Sequence, residues 1–108
     1  MEVAGVGVID DAIRRHPDVH AALLTWLEAA RAAEWRSLLD VRSQFPTADG
    51  VALRKRGKVV VVVTVFNIGG NKYRLITLID YRRQLVTVTH VLTHAEYDKE
   101  KWKRQLGG

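Results

Sequence analysis

With 108 residues, 47% of them hydrophobic and 27% charged, the chain has room for one domain, 1–108, built on a single modest core. The absence of cysteine excludes a disulfide framework and a thiolate metal site, and suits a reducing cytoplasm. A formal net charge of +5 favours an anionic partner such as nucleic acid, and the longest apolar run, residues 59–66, falls far short of the roughly 20 residues that a membrane helix needs.

The first residues, MEVAGVGVIDD, carry acidic groups where a secretion signal needs basic ones. A short strand is expected at 3–8, and IDDAIRRH then reads as a helix that stops at Pro17. In DVHAALLTWLEAARAA, the residues Val19, Leu23, Trp26, Leu27 and Ala30 recur at helical spacing and define a core-facing stripe. SLLDVRSQF continues the helical half with Ser37 placed to cap it, and PTADG ends it. His16 and His20 have i, i+4 spacing, but Pro17 lies between them and no HExxH pattern accompanies them, so neither a metal site nor a cofactor is expected.

The period then changes. RKRGK, residues 54–58, is a basic cluster expected on a loop; its charges either keep a sheet edge solvated or contact phosphates. Strands are expected at 59–68, 72–80 and 85–92, and their short connections make an antiparallel meander the economical topology. The middle strand is apolar on both faces, which requires a covering layer on each side. The fold class is therefore α+β: helices first, a sheet for them to pack on, and a C-terminal helix.

Within the strand region, FNIGGNKYRL (66–75) interrupts apolar sequence with two glycines, two asparagines and an arginine. A turn centred on Gly70-Asn71 sets Asn67 directly opposite Arg74 on the same face; a Gly69-Gly70 turn would not. Arg74 shares its strip with Ile76 and Leu78, where a guanidinium is costly unless paired or functional. It either forms a salt bridge, with Asp80 or Glu96 as candidate partners, or holds an anion. After the last strand, Thr93-x-x-Glu96 has the form of a capping box, so a helix should begin at His94. There the macrodipole disfavours an imidazolium, and Tyr97, three residues on, shares the face. A meander lays the last strand beside the middle one, at the end that carries Arg74. A cation, an imidazole and a phenol gathered there would suit phosphoryl-transfer chemistry.

FNIGGNKYRLI (66–76) followed by THAEYD (93–98) resembles the HigB group of bacterial toxins, within the RelE-like ribonuclease superfamily. HPDVHAALLTWLEAARAAEW is similar to that family's paired N-terminal helices, and the likeness runs from about Val8 to Trp102. The resemblance implies two N-terminal helices packed on a small antiparallel sheet with a C-terminal helix. It also implies a cytoplasmic, metal-independent endoribonuclease that cuts mRNA, usually on the ribosome, by attack of the ribose 2′-OH. Its implied partner is a cognate helix-turn-helix antitoxin (HigA-like). On this reading Arg74 holds the scissile phosphate, His94 is general acid or base, and Tyr97 stacks on a base or orients the nucleophile. Asn67, Asn71, Lys72, Lys55, Arg56 and Lys58 are the implied RNA contacts. The start, MEVAG, departs from relatives that carry a basic residue there. The charge and the strand arginine fit equally a basic RNA- or ribosome-binding module that does not cut; a third reading makes the chain one partner of a stable heterodimer whose polar residues only cap and turn.

Overall fold

A computed structural model describes residues 1–107. Its elements are β1 (Glu2–Ala4), α1 (Val6–Arg15), a single 3-10 turn (Pro17–Val19), α2 (His20–Ala32), α3 (Leu38–Gln44), β2 (Asp49–Lys55), β3 (Lys58–Ile68), β4 (Tyr73–Asp80), β5 (Leu85–Thr93), α4 (His94–Asp98) and α5 (Lys101–Gln105). The five strands form one sheet in the order β1-β5-β4-β3-β2. The expected meander of β3, β4 and β5 is present, and the class is α+β. Two strands are added to it: β2 pairs antiparallel with β3, and β1 pairs parallel with β5. No helix among the described residues is long and apolar enough to cross a membrane.

Both additions have local causes. The strand expected at 3–8 stops at Ala4, because Gly5 adopts φ +83 and turns the chain straight into α1. A Cβ there would lie 2.2 Å from the Val88 carbonyl oxygen, so only glycine allows the backbone so close to β5. RKRGK is not a loop. Arg54 and Lys55 end β2, and Arg56 and Gly57, with φ of 54 and 77, form the two-residue turn into β3. Positive φ at both central residues matches the turn to the twist of the paired strands.

The helical half packs on one face of the sheet. Val19, Leu23, Trp26, Leu27 and Ala30 are all buried, as their spacing requires. Trp26 meets Phe66 edge-on at 5.4 Å, and Phe66 also stacks on Trp35 and abuts Phe45. Each large side chain removed from water here contributes about 1.5–3 kcal/mol. The indole N–H of Trp26 is buried with no partner among the described residues, which costs about 1–3 kcal/mol and which burial of so large a ring offsets. On the opposite face Leu53, Val63, Val65 and Ile76 lie under Trp102 of α5. The middle strand is thus covered on both sides, with Leu75 facing the helices and Ile76 facing α5. Ser37 sits at the N-cap of α3, but its side chain makes no capping bond; Asp40 instead accepts from the Arg36 N–H at 2.8 Å.

Candidate active site

The turn between β3 and β4 has Gly70 and Asn71 at its centre, closed by the Lys72 N–H, which lies 3.5 Å from the Gly69 carbonyl oxygen. Ile68 then pairs with Tyr73 and Asn67 with Arg74. Only Gly69 and Gly70 take positive φ, so Asn71 is there for its side chain rather than its backbone freedom. The Arg74 guanidinium folds back onto this turn. Its Nη2 donates to Asn71 Oδ1 at 2.6 Å, and its Nη1 reaches the carbonyls of Asn71 and Tyr73 at 3.3 and 3.2 Å. Neither candidate carboxylate neutralises it. Asp80 faces Arg83, Glu96 is occupied in a cap, and Arg74 has no salt bridge among the described residues. The half-buried cation is held by neutral acceptors and keeps its charge for another anion.

The second part of the site is set by the end of β5. Thr93 and Glu96 form the reciprocal capping box, at 3.1 and 2.9 Å, and α4 begins at His94 as expected. The Thr93 N–H holds the Glu96 carboxyl below the usual glutamate range, against its partial burial, with Arg15 and His16 adding to the effect. The His94 N–H donates to the Lys72 carbonyl at 2.9 Å, which ties the start of α4 to the β3–β4 turn. Tyr97 then lies over the cation, with its ring centroid 5.8 Å from Arg74 Cζ. Burial pushes the Tyr97 phenol above the ordinary tyrosine range, and Asp49 adds to the rise, while Lys103 and Arg74 oppose it. The group therefore remains an O–H donor at neutral pH.

Trp102 was not foreseen as part of this site. Its ring stacks on Tyr97 at 5.3 Å and 15°, its Nε1 donates to the Tyr97 carbonyl at 3.1 Å, and Lys103 Nζ lies 5.7 Å from its own centroid. The result is a column of cation, phenol, indole and cation: Arg74, Tyr97, Trp102, Lys103. No helical period links Tyr97 to Trp102; the chain reverses between them at Glu100, whose φ is +61. The aromatic among basics in KWKR was the one available signal.

His94 stands one helical turn from Tyr97 on α4. Its Nδ1 lies 2.9 Å from Asp98 Oδ2, and its bonds go to Asp98 and Lys72 rather than to Arg74 or Tyr97. Lys72 is exposed on the turn and Asn67 is half-buried across from Arg74. Lys55, Arg56 and Lys58 are not brought to this group. They occupy the β2–β3 hairpin at the other end of β3, about 30 Å of strand from Asn67. Among the described residues no set of three or more His, Cys, Asp or Glu is placed to hold a metal ion. His16 packs its ring on Tyr73 at 5.3 Å, and the Tyr73 hydroxyl donates to the Asp18 carboxylate, 2.9 and 3.0 Å from its two oxygens. The turn after α1 is in this way anchored beside Arg74.

Residues 19–100, well over half of the chain, match the model of the HigB toxin family, described as the RelE-like toxic component of a toxin-antitoxin system. The match contains Asn67, Asn71, Arg74, His94 and Tyr97. The chain is also 25% identical over 99 residues to the mRNA interferase HigB of Escherichia coli O6:H1 (strain CFT073), covering 92% of this chain and 90% of that protein. With most of its length inside that match, the chain belongs to the HigB toxin family, the RelE-like toxic components of toxin-antitoxin systems.

Proposed function

We propose that this toxin is an endoribonuclease that cuts mRNA by intramolecular transesterification in the cytoplasm. The ribose 2′-oxygen attacks the adjacent phosphorus as the bond to the 5′-oxygen breaks, which leaves a 2′,3′-cyclic phosphate and a free 5′-hydroxyl. One proton must leave the 2′-OH and one must reach the departing oxygen. Arg74 binds the phosphate and stabilises the charge that accumulates on its equatorial oxygens. His94 transfers a proton through Nε2, with Asp98 on Nδ1 fixing the ring, the role an orienting carboxylate plays beside any catalytic imidazole. Tyr97 provides a ring for a base to stack on and an O–H for the phosphate or ribose.

The observation that supports this reading best is the state of Arg74: pre-oriented by Asn71 and Tyr97, and unneutralised. The name of the Escherichia coli relative favours mRNA as the substrate. The cognate partner is an antitoxin of the helix-turn-helix, HigA-like kind, and the ribosome presents the message. Induced expression tests the proposal. Growth should arrest, and mapped mRNA ends should carry 5′-hydroxyls. Intact mRNA with RNA still bound would replace this reading with that of a non-cutting binding module.

A further inference from the structure

A cavity of about 380 Å³ opens between β5 and the C-terminal helices, on the side of α4 that carries Glu96, and Arg74, His94 and Tyr97 take no part in its lining. Its walls bring three basic side chains together from separate elements: Arg15 at the end of α1, Lys99 after α4, and Lys101 at the start of α5. Glu96 is the one carboxylate, and its Oε1 is already engaged by the Thr93 N–H. Lys99 and Lys101 have no salt bridge among the described residues, while Arg15 is steadied by Asp11 at 3.1 Å. Leu92 and Trp102 give the cavity an apolar wall. Trp102 is also the partition between cavity and candidate active site, because the same indole stacks on Tyr97.

A concave surface with an excess of cations, one apolar wall and this volume suits a small anion with a flat apolar portion. We propose that the cavity is a second RNA subsite, taking a nucleotide that flanks the one cut at Arg74. Arg15, Lys99 and Lys101 hold its phosphodiester, and the base lies against Leu92 and Trp102. The proposal rests on the ribonuclease reading above and extends it. Arg15, Lys101 and Trp102 fall outside residues 19–100, whereas Leu92, Glu96 and Lys99 fall within them, so the cavity straddles the end of the stretch that defines family membership.

The test uses the full chain and a fluorescent RNA oligomer, 2′-O-methylated at every ribose so that it cannot be cut, titrated across a salt series. Arg15→Gln/Lys101→Gln removes two cavity cations. Arg14→Gln/Arg31→Gln removes the same charge from exposed helix positions outside the cavity. The cavity variant should bind about fivefold more weakly, and its plot of log affinity against log salt should flatten by about 0.7 for each phosphate no longer neutralised. The control pair should stay near the wild type. Lys99→Gln/Lys101→Gln, both exposed, repeats the measurement should the Arg15 change disturb folding. Equal losses in cavity and control variants would mean diffuse attraction and overturn the subsite, as would no loss in either. Inorganic phosphate that competes only with wild-type binding would support a phosphate-holding cavity; phosphate bound there without effect on RNA would refute an RNA subsite. A wild type that neither binds the oligomer nor cuts mRNA on induced expression overturns both proposals. A wild type that cuts RNA while the cavity variants bind as it does overturns this one alone.

Discussion

Asn71 holds Arg74 from three residues upstream: the guanidinium Nη2 donates to the asparagine Oδ1 at 2.6 Å across the turn between β3 and β4. A neutral acceptor orients the cation without cancelling it, whereas a carboxylate in the same place would do both. Arg74→Ala should therefore lower RNA cleavage by about 10²-fold or more, as removal of a transition-state donor does, with the melting temperature little changed. Asn71→Ala should cost less and act on kcat, since the guanidinium survives but loses its tether. Asn71→Asp is the sharper variant. It should fold normally yet cleave more slowly than Asn71→Ala, because the new carboxylate pairs with the guanidinium that the substrate needs. Single-turnover rates beside thermal melts separate these outcomes, and an Asn71→Asp protein as active as wild type would show that Arg74 does not bind the phosphate.

Tyr97 sits between Arg74 and Trp102, and burial raises the pKa of its phenol. The direction of the shift sets its chemistry. A phenol raised above the ordinary tyrosine range, about 10, is protonated throughout the working range and cannot act as the base there. Tyr97→Phe should reduce the cleavage rate while leaving the shape of the pH–rate profile unchanged between about pH 6 and 9. Tyr97→Ala should lose more, since the stacking ring disappears with the hydroxyl. A limb of the profile that vanishes in Tyr97→Phe would place the tyrosine in proton transfer after all.

What could be read from the sequence is what local physics fixes. The Asn67–Arg74 pairing follows once the turn centres on Gly70-Asn71, one of two turns that the sequence allows; the α4 cap follows from Thr93 and Glu96, and the buried stripe of α2 from a helical period. What could not be read depends on contacts between distant segments. DGVALRK shows no clean alternation, so β2 is not legible in the sequence and RKRGK reads as a loop; only the β2–β3 hairpin sets Lys55, Arg56 and Lys58 far from Arg74. Trp102 escaped because an αL residue at Glu100 breaks the helical count between it and Tyr97. The fate of Arg74 was likewise open: the sequence offers Asp80 and Glu96 as partners, and only the fold commits both of them elsewhere.

Two glycines at the start of α1 should respond to alanine in opposite senses. At Gly5 the backbone is left-handed, φ +83, and a Cβ would meet the Val88 oxygen at 2.2 Å. The conformation alone costs an L-residue about 1–2 kcal/mol, and relief of the clash would pull β1 off β5. Gly5→Ala should destabilise the protein by at least about 2 kcal/mol. At Gly7 a Cβ meets nothing within 4 Å, and the residue lies within α1. Gly7→Ala should stabilise by about 0.5–1 kcal/mol through helix propensity. Urea unfolding of the two variants checks both signs at once; equal effects would mean that the Gly5 turn is not as tight as described.

The capping box should leave a trace in the pH dependence of stability. Glu96 accepts from the Thr93 N–H, and that bond holds its folded-state pKa below the ordinary glutamate value, about 4.3. A depressed pKa means that the unfolded chain binds the proton more readily, so this contribution is complete above the ordinary value and is lost as the pH falls through it to the folded one. Glu96→Gln can still accept from Thr93 but cannot titrate. At pH 7 the variant should be the less stable by no more than about 1 kcal/mol, because the carboxylate is exposed and screened. Below about pH 4.3 the gap should close as the wild type loses its charge. Denaturant unfolding at a series of pH values gives both curves. A gap that stays constant from pH 7 to pH 3 would mean that the cap works through hydrogen-bond geometry alone and that the charge on Glu96 contributes nothing to the start of α4.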